Sequence, residues 1–518
     1  MKNKLLIIAL LFLVLSDTFE NRLFAQLSGD LDTSFNGTGM LIDTVGPMNS
    51  EARAVVIQPD GKIIAAGYSG SSMYSVFALS RYLINGAVDT SFGINGEVVV
   101  DLFSYDSQIR SLALQPDGKV IVAGFVAWPS SSWYFALARF NPNGTLDSTF
   151  GTNGAVTTIV GPEIAVISSI ALQTDGKIVA VGHRSTNSSI YNDFVLARYN
   201  TNGMLDSTFN NTGLLIFYRA GVNHNSTLAS VAIQTDGKIV AAGGADGIAV
   251  IRCNTDGTLD STFNSSGTFY SSADTMYANS LVIQPDGKLL VAGWSWFNYP
   301  NYCFVLARLD SSGQLDNTFG VNGITLTDFG NGNDYANAIA LQQDGKIVAA
   351  GSSDTDPDLG YTDFDFAIAC YNSNGTLDLN FSSDGKLTTK FTWVWVDIAS
   401  AIAIQPDGKI IAAGTANGLT FALSRYHFLL STGIVDLSVD TNSLIVYPNP
   451  TSNQITIEGF VMNSEIKILD ITGKIIYSQK LSNTQKIEVN TSDFAEGVYL
   501  VKIQTENFIE TQKVIISK

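Results

Sequence analysis

Residues Gln58–Gly67 read QPDGKIIAAG, and close copies of this decapeptide return six more times along the chain. The turn half stands as QPDGK at Gln58–Lys62, Gln115–Lys119, Gln284–Lys288 and Gln405–Lys409, as QTDGK at Gln173–Lys177 and Gln234–Lys238, and as QQDGK at Gln342–Lys346. Pro-Asp-Gly suits a type I turn followed by a residue with positive φ, which predicts a tight hairpin. The second half ends at Gly67, Gly124, Gly182, Gly243, Gly293, Gly351 and Gly414. Glycine inside a strand costs stability, so its recurrence signals a close backbone approach, such as blade packing on blade.

Two further motifs flank this hairpin and keep step with it. A FALSRY-like strand occurs seven times, from Phe77–Tyr82 to Phe421–Tyr426, and an LDxTF-like stretch seven times, from Leu31–Phe35 to Leu377–Phe381. The turn glycines are spaced 57, 58, 61, 50, 58 and 63 residues apart. Each unit reads as four short strands, in the second unit Gly96–Phe103, Arg110–Gln115, Lys119–Phe125 and Tyr134–Phe140. Val, Ile and Phe are enriched in them, and Gly, Asn and Asp bound them. Four-stranded units repeated four to eight times make a β-propeller. The fold expected is all-β: a seven-bladed propeller followed by a small β-sandwich domain.

QPDGKIIAAG, FALSRY and NGTLDSTFG resemble the delta-60 repeat, a family of β-propeller repeats in bacterial surface and secreted proteins. The resemblance covers about residues 28–430. It implies the fold and carries no agreed activity.

Repeat symmetry separates structural residues from candidate functional ones. Asp60, Lys62, Arg81, Asp89 and their copies recur in all or nearly all units, so they are expected to serve each blade as turn residues or inter-blade pairs. A single reacting or binding centre must break the symmetry. In a four-stranded meander the QPDGK turns and LDxTF connections share one face, and the variable loops share the other. Function is carried by loops on a rigid scaffold, so the variable face is the expected site. All six tryptophans lie in or beside its loops. Trp128, Trp133, Trp294, Trp296, Tyr299, Trp393 and Trp395 are the ligand-binding candidates, because Trp and Tyr are enriched at binding hot spots. The competing reading is that these rings cover blade edges.

The sixth unit carries DTDPDLGYTDFD, whose Asp354, Asp356, Asp358, Asp363 and Asp365 could wrap a calcium ion with oxygens. The fit to a calcium loop is incomplete, since Leu359 stands where glycine is expected. No other cofactor is indicated. The three histidines His183, His224 and His427 lack metal-ligand spacing, and there is no nucleophile elbow or phosphate loop. Paired carboxylates for glycan hydrolysis stay open, because acidic residues are plentiful. Cys253, Cys303 and Cys370 are odd in number and widely spaced, which predicts buried thiols rather than disulfides.

Charge and the termini give the address. Of the 518 residues only 15% are charged, and the net charge is −18. Residues 26–443 hold 19 positive against 37 negative side chains, and thirteen of the 19 are repeat Lys and Arg. Nucleic acid is excluded as a partner for want of a basic footprint. Lys2 and Lys4 precede an apolar run, Leu5–Leu15, too short to span a bilayer but suited to a signal peptide over 1–25, with cleavage between Ala25 and Gln26. No later stretch reads as a transmembrane anchor. The propeller is expected over 26–430 and a linker over 431–443.

Residues 444–518 regain lysine and show strand alternation around Ile466/Ile468 and Val498/Leu500. This domain is similar to the C-terminal sorting domain of type IX secretion substrates, through Tyr447-Pro448-Asn449-Pro450, Asp470, Gly473 and Lys474, Gly497 and Tyr499, and the terminal strand Lys513-Val514-Ile515. The resemblance implies recognition by the type IX translocon, removal by a sortase-like peptidase, and display on or release from the outer cell surface. The reading that follows is an exported binding or adhesion module for a glycan or surface protein. The rivals are an enzyme acting on extracellular polysaccharide and a passive surface scaffold.

Overall fold

The computed structural model describes residues 27–428 and 445–518, except 72–73, 129–131, 162, 186–191, 219–225, 272–274, 299–300, 331, 358–362, 393–395, 448, 459–463, 471–472, 482–485 and 505–508. The chain divides into two compact units, Met1–Leu430 and Ser431–Lys518. The expected signal peptide, its cleavage site at Ala25 and Gln26, and the linker lie outside the described residues.

The first unit consists of seven four-stranded antiparallel sheets. Blade one runs Ser50–Ile57, Ile63–Ser71, Tyr74–Tyr82 and Glu97–Val100, from the innermost strand outward. The other innermost strands are Asp106–Leu114, Ala165–Leu172, Thr227–Ile233, Met276–Ile283, Asp334–Leu341 and Ile398–Ile404. The unit read in the sequence straddles two blades. Glu97–Val100, taken there as the first strand of unit two, hydrogen-bonds to Phe77–Ser80 as the outer strand of blade one. The ring is closed by the chain start: Met40–Asp43 pairs with Phe421–Ser424 as the fourth strand of blade seven. An edge strand left open there would be an aggregation liability, and this pairing covers it.

The second and third strands of each blade are nearly continuous buried runs of Ile, Val, Ala, Leu and Phe, as strands packed on both faces must be. The tyrosines that end four of the FALSRY-like strands are fully buried, and their hydroxyls find partners on an outer strand. Tyr82 donates to Asp43 Oδ2 at 2.9 Å, Tyr199 to Thr158 Oγ1 at 3.0 Å and Tyr371 to Thr327 Oγ1 at 2.8 Å.

Each innermost strand carries a β-bulge at the same place, between Ala52/Ala54, Ile109/Ser111, Ile167/Ser169, Leu228/Ser230, Ala278/Ser280, Ala336/Ala338 and Ala399/Ala401. This explains the recurrent glycine and corrects the expectation of blade-on-blade contact. A Cβ on any of the seven would lie 1.8–1.9 Å from a carbonyl oxygen of its own blade's innermost strand: Glu51, Gln108, Val166, Thr227, Tyr277, Tyr335 or Ile398. The bulge tips that carbonyl into the second strand, and only glycine leaves room for it.

The second unit packs a three-stranded sheet and a four-stranded sheet, the latter ordered Ile475–Leu481, Ser464–Asp470, Gly497–Gln504 and Ile509–Ile516. Its core includes Val446, Ile455, Ile457, Ile466, Ile468, Val501 and Val514. This is the expected small sandwich.

Candidate functional site: the channel mouth

The repeat-locked face holds one ion-pair assembly per blade. In blade three, Arg198 Nε donates to Asp206 Oδ2 at 2.7 Å, Lys177 Nζ lies 3.1 Å from the same oxygen, and Thr208 Oγ1 donates to Asp206 Oδ1 at 2.6 Å. Arg198 also donates to the Thr255 carbonyl of the next blade and lies over the Phe209 ring at 4.8 Å. Arg81–Asp89–Lys62, Arg139–Asp147–Lys119, Arg252–Asp260–Lys238, Arg308–Asp316–Lys288 and Arg425–Asp32–Lys409 repeat the arrangement. Burial opposes the Asp89 charge, but the Ser91 hydroxyl and amide, with Arg81 and Lys62, outweigh it and hold the carboxyl down at about 2. In blade six Cys370 replaces the arginine, and Lys346 alone pairs with Asp378, at 2.7 Å. The Asp–Lys pair recurs in all seven blades and the arginine in six, as expected of groups that serve each blade.

Symmetry fails at the bulge. The seven bulge residues are Arg53, Arg110, Ser168, Ala229, Asn279, Asn337 and Ser400, five positions before each repeat glutamine. The residues after the bulge-facing glycine vary as widely: Tyr68, Phe125, His183, Gly244, Trp294, Ser352 and Thr415. Members of both rings line one open cavity of about 860 Å³, with Trp133, Val166, Asn333, Tyr335, Phe364 and Ile398. That volume lies in the range of small-ligand sites, ~300–1,000 Å³.

The cavity has two unlike walls. On one, Arg53 pairs with Glu51 at 2.5 Å, while Arg110 donates to Gln108 Oε1 at 3.2 Å and lies 5.6 Å from the Phe125 ring. Trp133 stacks on Phe125, with centroids 4.5 Å apart and planes 8° apart. Burial, then the neighbouring Arg53 charge, pulls the Arg110 guanidinium down to about 10. His183 is pushed down to about 4 by burial and by Arg110, and its Nδ1 is buried without a hydrogen-bond partner. On the other wall Trp294 stacks on Tyr277 at 4.4 Å and meets Tyr302 and Tyr335 edge-on. Asn279 and Asn337 donate across to the Ala336 and Ala399 carbonyls, both at 2.9 Å, stapling neighbouring blades.

Of the tryptophans named from sequence, Trp133 and Trp294, from blades two and five, meet in this cavity. Trp128 and Trp296 are 41% exposed and pack against Tyr105 and Tyr302. Tyr299, Trp393 and Trp395 lie outside the described residues. Arg53, Arg110, His183, Asn279 and Asn337 were missed as site residues. The signal was available: Arg53 and Arg110 remain when the thirteen repeat Lys and Arg are set aside.

Asp354, Asp363 and Asp365 are buried, Asp356 is exposed and Asp358 lies outside the described residues. Among the described residues no three His, Cys, Asp or Glu side chains are placed to hold a metal ion. Asp363 pairs with Lys390 at 2.5 Å, and Thr355 donates to Asp365 at 2.7 Å. Cys253, Cys303 and Cys370 are free and buried, as expected.

In the second unit the motif residues build the fold. Asn449 donates to the Lys513 carbonyl at 2.8 Å and accepts from the Ile515 amide at 2.9 Å, fixing the terminal strand. Asp470 and Lys474 close a turn through Gly473 at φ 84°, and the Tyr499 hydroxyl donates to the Ala495 carbonyl at 2.9 Å. Tyr447 is partly exposed beneath the Lys486 ammonium, 5.8 Å from its ring. Pro448 lies outside the described residues.

Seven four-stranded blades followed by a small sandwich define a β-propeller protein with a separate C-terminal domain. The propeller matches the DUF5122 β-propeller domain of unknown function seven times, at residues 58–92, 115–150, 173–209, 234–263, 284–319, 342–381 and 405–427. Residues 445–517 match the secretion system C-terminal sorting domain. The chain therefore carries a DUF5122 repeat region and a type IX sorting domain, which directs it to the cell surface or the medium. No helix among the described residues is long and apolar enough to cross a membrane. No curated protein matches the chain.

Solved structures resemble it distantly. A catalytically inactive virginiamycin B lyase from Staphylococcus aureus, with quinupristin, is 11% identical over 75% of this chain and 99% of its own, with a TM-score of 0.40. The polysaccharide lyase Uly1 is 11% identical over 73% and 90%, at 0.39. PorZ of Porphyromonas gingivalis, a surface component of the type IX system, is 12% identical over 92% and 100%, at 0.26.

Proposed function

We propose that the protein is an extracellular binding module whose ligand, a glycan or a surface protein, seats in the channel-mouth cavity, Trp133 and Trp294 being its aromatic contacts. The sorting domain delivers it through the type IX translocon and is then removed by a sortase-like peptidase. One observation carries the reading: repeat symmetry is kept on one face and lost in the ring that lines the cavity. A scaffold without a ligand has no reason to differ from blade to blade there. The carboxylate pair that a hydrolase would need is not among the described lining residues.

The test is a glycan and peptide array probed with the full-length protein and with Trp133→Ala and Trp294→Ala, each checked for an unchanged melting temperature. Loss of saturable binding in either variant supports the cavity. Binding that survives both substitutions places the ligand elsewhere, and a blank array favours the scaffold.

A further inference from the structure

Among the described residues, Arg110 is the one arginine with no carboxylate within 4.0 Å; the other eight all have one. This is a chain with 47 acidic residues and 29 basic ones. Carboxylates are therefore plentiful, yet none pairs directly with Arg110. The strongest charge acting on it is a second cation, Arg53, whose own partner is Glu51, while Glu51 and Asp106 favour the Arg110 charge more weakly and without an ion pair. The Nε atoms of both arginines are buried and have no hydrogen-bond partner. A half-buried guanidinium with a like-charged neighbour is costly unless an anion completes it. Arg also offers a planar fork matched to carboxylate or sulfate.

We propose that Arg110, with Arg53, seats the anionic group of an acidic saccharide in the cavity. This rests on the cavity being the binding site. The rest of the lining favours a sugar over an acidic peptide. Trp133 and Trp294 line the cavity, each backed on one side by a stacked ring, and bring to it aromatic surface of the kind on which sugar C–H faces stack. Asn279 and Asn337 spend their amide protons on backbone carbonyls. Asn279 Nδ2 also lies 3.4 Å from Asn337 Oδ1, so the pair brings neutral amide groups, the kind that meet sugar hydroxyls, to the lining. The net charge of −18 repels polyanions at long range. The ligand is thus a saccharide with an isolated acidic residue on an otherwise neutral chain, rather than a densely charged polymer.

The experiment is an array of matched acidic and neutral oligosaccharides, including sialyllactose with lactose and glucuronosyl-xylobiose with xylotriose, plus acidic peptides. It is probed with the full-length protein, Arg110→Gln and Trp294→Ala. The expected result is binding to the acidic member of a pair, weakened about tenfold or more by Arg110→Gln, as for loss of a charge-assisted hydrogen bond. Melting curves check that both variants are folded. Binding to neutral sugars that Trp294→Ala abolishes and Arg110→Gln leaves intact overturns the anion seat and keeps the cavity as a binding site. Preference for the acidic peptides overturns the saccharide. A blank array overturns both readings.

Discussion

Two arginines on opposite faces of the same propeller live in opposite circumstances. Arg198 is held by a carboxylate at 2.7 Å, a threonine hydroxyl, a carbonyl of the next blade and an aromatic ring. Arg110 has a glutamine at 3.2 Å, a phenylalanine ring and a second arginine. The first is repeated around the ring because each blade needs it to lock onto the next. The second has a counterpart only in Arg53 of blade one, the other five blades carrying Ser, Ala or Asn at that position, so the ring itself does not require it. Local satisfaction marks what the fold needs, and local frustration marks what the fold tolerates for another purpose.

The comparison breaks most visibly at the satisfied side. Arg198→Gln leaves the buried Asp206 carboxylate with Lys177 as its one cation, beside the Thr208 hydroxyl and amide, and removing one member of a buried pair costs ~3–5 kcal/mol. Chemical denaturation of the full-length protein should show a loss of that size in the propeller transition. A change within error would mean that the assemblies on this face are ornamental.

The bulge glycine is the hinge between the two faces, since it fixes the strand that carries the cavity residues. In Gly124→Ala the new methyl would stand 1.9 Å from the Gln108 carbonyl. The blade must shift, at the ~1–3 kcal/mol typical of overpacking. Because the same shift moves Arg110, ligand affinity should fall together with stability. A variant that loses stability and keeps full affinity would separate the bulge from the site.

Each face also has its own pH window. The unfolded chain protonates His183 near 6.5, whereas the folded protein resists until about 4. The His183 contribution to stability therefore falls as pH drops from 6.5 to 4, by ~1.4 kcal/mol per pH unit for one proton, while Asp334, raised to about 7 by burial, works in the opposite direction. Asp89, held down at about 2, keeps its contribution above the unfolded carboxyl value of 3.8 and loses it only below that. Replacing His183 by Gln should flatten the upper window and leave the lower one untouched. An unchanged slope between pH 6.5 and 4 would show that the imidazole is not desolvated.

Most of the fold was legible because repetition amplifies weak signals. One PDG turn is a hint; seven in step with FALSRY-like strands and LDxTF-like stretches fix blade number and face parity. What repetition could not show was which strand joins which blade, because a cyclic pattern has no start. That is why Glu97–Val100 was placed one blade late and why Met40–Asp43 emerged as the closing strand only from its pairing. The site was half legible. Trp133 and Trp294 announced themselves by residue type, but Arg53, Arg110 and His183 matter by position: the other five blades carry Ser, Ala or Asn where the arginines sit, and the other six carry Tyr, Phe, Gly, Trp, Ser or Thr where His183 sits. The same repetition hid the glycine's purpose, since its partner carbonyl belongs to backbone that every sequence shares.

The smallest effect discriminates best. Arg110→Gln removes an unpaired, half-buried charge that faces Arg53, and keeps a polar group of similar reach beside Gln108. The fold loses one hydrogen bond to Gln108 and one ring contact with Phe125, and the repulsion from Arg53 disappears with the charge. The unliganded variant should be as stable as the parent or more so, by up to ~1 kcal/mol, the trade seen where a site is strained for function. Thermal melting of the two unliganded proteins side by side measures this directly. A higher melting temperature for the variant, set against the loss in Arg198→Gln, would mean that the same residue type supports the structure on one face and taxes it on the other. A drop of several kcal/mol would instead make Arg110 a structural residue whose partner lies in the neighbouring loops, and the contrast between the faces would collapse.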